Sequence, residues 1–159
     1  MTQQIESSVR KTVTVATGQE RAFDVFTAGF GTWWPKAHHI GTAELAAVTL
    51  EPRAGGRWFE TGTDGVECDW GRVLAWEPPN RVVCSWQLQG DWRYDPDPAK
   101  GSEVEVRFIA EGPDRTRVEV EHRHFERHGA GAESVRAGVD NPDGWTHILE
   151  LFVERADAA

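Results

Sequence analysis

Cysteine is scarce in this chain, with two residues in 159, Cys68 and Cys84, beside a single methionine and a single tyrosine. The two cysteines flank Glu77-Pro78-Pro79-Asn80, which reads as the turn of a hairpin. A turn centred there pairs residues whose numbers sum to about 158, and Cys68 with Cys84 falls about six residues short of that. At roughly 3.3 Å per residue, the offset exceeds the ~7 Å Cα separation that a disulfide tolerates. Both are expected as reduced thiols, with Cys84 a small buried hydrophobe. Positive charge is also in short supply: 17 Lys and Arg stand against 26 Asp and Glu, a net charge of −9, and no basic cluster offsets it. Such a surface repels phosphate, which argues against nucleic acid and anionic membrane surfaces as partners. No apolar run approaches the roughly 20 residues of a membrane span. Met1–Lys11 lacks the apolar core of a signal peptide, so the expected location is the cytoplasm. A Gly-x-Ser-x-Gly nucleophile elbow and a phosphate-cradling glycine loop are missing too, and no cofactor is expected.

Tryptophan is abundant where the other rare residues are not: eight, beside seven phenylalanines. Eight indoles are hard to bury in a small domain, because each N–H needs a partner. A partly open cavity accommodates them more easily. The length fits a single domain, 1–159, with a core over about 8–155. A composition of 39% hydrophobic and 27% charged residues is that of a globular chain.

Val9, Val13 and Val15 alternate with polar residues and predict a first strand over about 8–16. Thr17-Gly18-Gln19-Glu20 has the spacing of a capping box before a short helix with Ala22, Phe23, Val25 and Phe26 on its apolar face. Gly29 and Gly31 break that helix ahead of Thr32-Trp33-Trp34-Pro35. Strands follow around 45–50, 57–61, 67–76 and 81–89, then a polar loop from Gly90 to Gly101 that carries Trp92 as a candidate lid. A hairpin joins 103–110 to 115–125 through Glu111-Gly112-Pro113-Asp114. Asn141-Pro142 reads as a cap and first-turn proline of a terminal helix. Its stripe is Trp145, Ile148, Leu149, Phe152 and Val153. An antiparallel sheet apolar on one face needs a cover, and this helix supplies it. The fold class is α+β.

Certain residues within this order carry a resemblance. They are Leu50-Glu51-Pro52-Arg53-Ala54-Gly55-Gly56-Arg57-Trp58, Trp70 through Arg81, Ser85-Trp86, Thr116-Arg117-Val118 and the Gly144-Trp145 helix. With them the chain resembles the helix-grip fold of the START-like (SRPBCC) superfamily. Within it, the chain is similar to the bacterial family named after the activator of the 90-kDa heat-shock-protein ATPase. The resemblance implies a curved antiparallel sheet of six to seven strands around a long C-terminal helix, with two short helices after the first strand. It implies a cavity for a hydrophobic or aromatic small molecule. Some superfamily members carry out proton transfer or cyclisation on polyketide-like or aromatic substrates. The family's name also implies an alternative, docking of a chaperone or other protein partner without catalysis.

The last hairpin gives the sharpest positional expectation. Cross-strand partners summing to about 226 set Val106 opposite Val120, Phe108 opposite Val118 and Val104 opposite His122. His122 and His124 then continue the inward parity, where a desolvated imidazole can bind a ligand or act as acid or base. The outward carboxylates Glu103, Glu105, Glu119 and Glu121 read as solvating charges. His-x-His also has the spacing of two metal ligands, but no third or fourth ligand is fixed, and no metal is expected. The expected ligand-binding residues are Trp33, Trp34, His38, Trp58, Trp86, His122 and His124, with His122 and His124 the catalytic candidates. His38 and His39 cannot both turn inward: either one of them reaches the cavity or both are solvated, and the faces of Trp70 and Trp76 stay open.

Overall fold

A computed structural model describes residues 8–158. Most of the stretch read above for a signal-peptide core, residues 1–7, lies outside them. Seven antiparallel strands form a single curled sheet in the order β1-β7-β6-β5-β4-β3-β2. They are β1 (Val9–Val15), β2 (Leu45–Leu50), β3 (Arg57–Gly62), β4 (Glu67–Glu77), β5 (Arg81–Trp86), β6 (Ser102–Gly112) and β7 (Arg115–Arg123). Helices α1 (Gln19–Phe26) and α2 (Phe30–Trp33) follow the first strand; α3 (Ala132–Asp140) and α4 (His147–Asp157) follow the last. Helix α4 packs against α1, α2 and β1, closing the concave face. This is the helix-grip fold that the sequence resemblance implied.

Strand β7 pairs with β6 in the expected register, Val106 opposite Val120 and Val104 opposite His122. Near the double proline, Trp76 faces Val82 and Glu77 faces Arg81, as the turn arithmetic requires. Two register shifts along β4 then decide what the turn left open. One sets Val73 rather than Leu74 opposite Cys84, pushing Leu74 out to 45% exposure. The other pairs Trp58 with Gly71 and Phe59 with Asp69, leaving Trp70 as the extra residue. Bulges of this kind bend a strand and re-aim its side chains. As a result Trp70 is buried in the concave face, and Trp76 packs edge-on against Phe23 at 5.1 Å. Cys68 and Cys84 are both free thiols, and burial raises the Cys84 thiol to about 12.

Four local expectations change. Helix α1 begins at Gly18 with no side-chain cap, so the Thr17–Glu20 capping box does not form. Thr17 instead gives its carbonyl to the Thr116 hydroxyl at 2.8 Å. Asn141 does cap, accepting from the Asp143 amide, but it caps only a wide turn over Pro142–Thr146. Gly144 has a non-helical ψ of −134° there, so α4 starts afresh at His147. The segment 125–140, left without structure above, holds a 3₁₀ turn (Phe125–Gly131) and α3, anchored by buried Val135 and Val139. Finally, Glu105 is no solvating charge. It lies 2% exposed, with its carboxylate hydrogen-bonded by Arg81, Arg107 and Arg123, which together hold its pKa down at about 2.

Candidate functional site

Between the sheet and the C-terminal helices lies a cavity of about 290 Å³, close to the lower end of the roughly 300–1,000 Å³ usual for small-molecule sites. Its walls are mainly indole: Trp34, Trp70, Trp86, Trp92 and Trp145, with Leu88 and Ile148. The mouth carries His38, His39, Asn141 and Asp143. Trp92, at 47% exposure with a left-handed φ of 62°, borders the opening. Among the described residues, no group of three or more His, Cys, Asp or Glu is placed to hold a metal ion. No described helix is long and apolar enough to cross a membrane.

A buried carboxylate fixes the mouth. Glu60, on β3 and 1% exposed, accepts from the Ile40 amide at 2.7 Å and the Trp70 indole at 2.8 Å on Oε1. Its Oε2 accepts from the Gly41 amide at 3.0 Å. The Trp34 indole donates to the His38 carbonyl at 2.8 Å. The irregular segment 38–41 is thus tied at both ends to the cavity wall. Both histidines border the cavity, but the Nδ1 of His39 bonds the Gly41 carbonyl. The Nδ1 of His38 is buried without a partner. Burial, with nearby His147, lowers its pKa; Asp143 opposes the shift.

His122 points inward as its parity required, and it is fully buried. Both of its nitrogens are nonetheless taken. Nδ1 accepts from the Trp145 indole at 3.1 Å, so the proton of the neutral ring sits on Nε2 and is donated to Ser102 Oγ at 2.7 Å. The Ser102 hydroxyl then donates to His128 Nε2 at 2.7 Å, and His128 Nδ1 donates to Gln89 Oε1 at 3.0 Å. Each donor meets one acceptor, and both tautomers follow from that. His122 therefore orients Trp145 from behind rather than bordering the cavity. His124 leaves the strand altogether: φ is 65°, its side chain is 42% exposed, and it lies 3.5 Å from Glu126. Trp33 and Trp58 are core residues. The Trp33 indole is spent on the Val25 carbonyl, and Trp58 packs between Phe30, Trp70 and Trp86. Of the seven expected site residues, Trp34, His38 and Trp86 meet at the cavity; Trp33, Trp58, His122 and His124 do not. Trp145, placed above on the terminal helix's apolar stripe, and Asp143 join them.

The His122–Ser102–His128 chain has no room for another proton. Burial pushes His122 well below its ordinary pKa, with His128 adding repulsion, and burial lowers His128 as well. In the unfolded chain both rings take up protons below about pH 6.5. The unfolded state then binds more protons than the folded one, so stability falls as pH drops through that value. The urea midpoint should hold level between about pH 7 and 8, below the ordinary thiol pKa, and decline between pH 6.5 and 5. Glu105, with its depressed pKa, begins to contribute a loss only below about pH 4.3. A midpoint that stays flat down to pH 5 would contradict the neutral network.

Residues 16–156 match the family described as Activator of Hsp90 ATPase homolog 1-like protein. Among solved structures, the chain is 40% identical to an anthrahydroquino-gamma-pyrone synthase, Txn09, complexed with SUM. That match covers 97% of this chain and 99% of the other, with a TM-score of 0.67. It is 37% identical to CalC, a self-sacrificing resistance protein from Micromonospora echinospora, over 94% of each chain with a TM-score of 0.67. CalU16 from the same organism, at 23% identity and a TM-score of 0.62, covers 96% of this chain and 76% of its own and shares the fold. No curated protein matches.

Proposed function

The chain belongs to the family of Activator of Hsp90 ATPase homolog 1-like proteins, and we propose that it binds a planar aromatic small molecule in the indole-walled cavity. One observation carries this reading: five indoles, those of Trp34, Trp70, Trp86, Trp92 and Trp145, wall a single cavity of about 290 Å³. The ring-rich wall suits stacking and edge contacts with a flat ligand better than with a flexible chain. The similarity to an anthrahydroquino-gamma-pyrone synthase supports an aromatic ligand of the polyketide kind. Any acid/base step here falls to a group at the mouth, since His122 has no free nitrogen and His124 faces away.

Titration with 2-hydroxyanthraquinone should quench the tryptophan fluorescence saturably and raise the melting temperature. At a ligand concentration 100-fold above Kd the stabilisation is about 2.7 kcal/mol. Palmitate should do neither. The absence of quenching and of a melting shift with any aromatic probe, alongside capture of a chaperone by the purified protein, would favour the docking reading.

A further inference from the structure

The loop after β5 leans on segment 125–140 at three points. Gln89 Oε1 accepts from His128 Nδ1 at 3.0 Å. Gly90 meets Gly131 backbone to backbone, so close that a Cβ on Gly131 would lie 3.3 Å from the Gly90 nitrogen. The Trp92 ring rests on Gly138, where a Cβ would come within 3.2 Å of Cζ2. Glycine is unfavourable in the interior of a helix, and Gly138 stands inside α3; the space it leaves is the seat of an indole. Trp92 is itself in an unfavourable state, with its left-handed φ and half-exposed ring. Such a conformation persists only while its surroundings hold it.

Of the three contacts, only the one to His128 titrates. The Ser102 amide and hydroxyl both donate to His128 Nε2, at 3.3 and 2.7 Å. A second proton on the ring must go to Nε2, where it meets those two donors. The amide cannot reverse, and the hydroxyl has nowhere else to turn, because His122 Nε2 already carries a proton that it donates to Ser102. At 7% exposure His128 is the ring of this network that solvent protons reach. The ionisable groups on the elements around it are His122 on β7, Glu103 on β6, Lys100, Asp91 and Asp95 on the loop, Glu133 and Arg136 on α3, and Glu126 and Arg127 on its own turn. Glu103 is engaged by Arg123 and Arg127, Asp95 by Lys100, and Asp91 by Arg93. Burial lowers the His128 pKa with none of these charges opposing it, so no anion waits to hold a protonated ring in place.

We infer that His128 is an acid-operated latch on the cavity's opening: a proton on Nε2 expels the ring from Ser102, breaks its bond to Gln89, and frees Trp92 to lift off Gly138. The latch is shut at neutral pH and opens below the ordinary histidine value of about 6.5.

The test needs no ligand. Nuclear Overhauser contacts between the Trp92 ring and the Gly138 α-protons should be present at about pH 7.5 and fade as His128 titrates, followed by its ring nitrogens in long-range 1H–15N spectra. Amide protection in β5, β6 and β7 should outlast them. Gln89→Ala, which removes the tie without touching either histidine, should show the faded contact already at about pH 7.5 and no further change on acidification. Ring contacts that persist once His128 is protonated overturn the latch. So does loss of sheet protection before or together with them, since the whole fold then opens. A second readout rests on the aromatic-ligand reading: 2-hydroxyanthraquinone should leave Gln89→Ala about fivefold faster than the unaltered protein, as one lost hydrogen bond allows. Equal exit rates overturn the latch. Failure of the probe to bind either protein counts against the aromatic-ligand reading and leaves the ring contacts to decide the latch.

Discussion

Alanine at Gly144 is expected to unfold part of the cavity wall and lower the melting temperature sharply. A Cβ at this position would lie 2.1 Å from the Val139 carbonyl oxygen and 2.6 Å from its carbon. Both are backbone atoms at the end of α3, so no side chain can swing aside. Overpacking typically costs 1–3 kcal/mol and occasionally more. A clash with backbone at this distance belongs at the top of that range, about 3 kcal/mol, or roughly 6–12 °C for a domain of this size. The neighbouring Trp145 must move with the turn, so ligand quenching should fall with stability. Gly112→Ala is the matched control: a Cβ there meets nothing within 4 Å, and the melting temperature should stay put. Equal melting of the two variants would mean that the α3–α4 junction relaxes without cost.

Glu60→Gln is expected to destabilise by about 2 kcal/mol, near 4–8 °C, although it keeps size and shape. Three donors converge on the carboxylate: the amides of Ile40 and Gly41 and the Trp70 indole. An amide side chain can serve them only through its oxygen, so its nitrogen must face a donor. If that nitrogen takes the place of Oε2, the Gly41 amide loses its acceptor, and segment 38–41 is released at one end. Proteolysis within that segment should accelerate even where overall folding is retained. Glu60→Leu leaves all three donors orphaned and should cost more. A Glu60→Gln protein as stable and as protease-resistant as the parent would show that water fills the gap.

Much of the frame was legible in the residues. The β6–β7 register follows from one turn and the alternation of Val104, Val106 and Phe108 against Val118, Val120 and His122, because a side-chain period of two leaves no freedom once one face is buried. The site was legible only in part. Parity extends to a residue only while the strand does, and the left-handed backbone at His124 ends it one residue before the expected ligand. Parity also says nothing about whether an inward nitrogen is already spoken for; for His122, the partners Ser102 and Trp145 come from distant segments. Helix α3 offered a single Val135–Val139 pair, too little periodicity to register. Glu60 could have been found: a carboxylate on a strand between Trp58 and a glycine-rich turn is an anomaly in an otherwise apolar neighbourhood. Trp70 depended on a bulge, and bulges leave no mark in composition.

Glu105 gathers arginines from three successive strands, Arg81 on β5, Arg107 on β6 and Arg123 on β7, onto one buried carboxylate on the convex side. Arg123 also bonds Glu103, which is bonded in turn by Arg127 beyond the strand's end. The middle of the vault is thereby riveted from outside, where parting two strands means separating paired charges. For the guest proposed above, the convex side is then closed masonry, and the doorway is the opening bordered by Trp92 and segment 38–41.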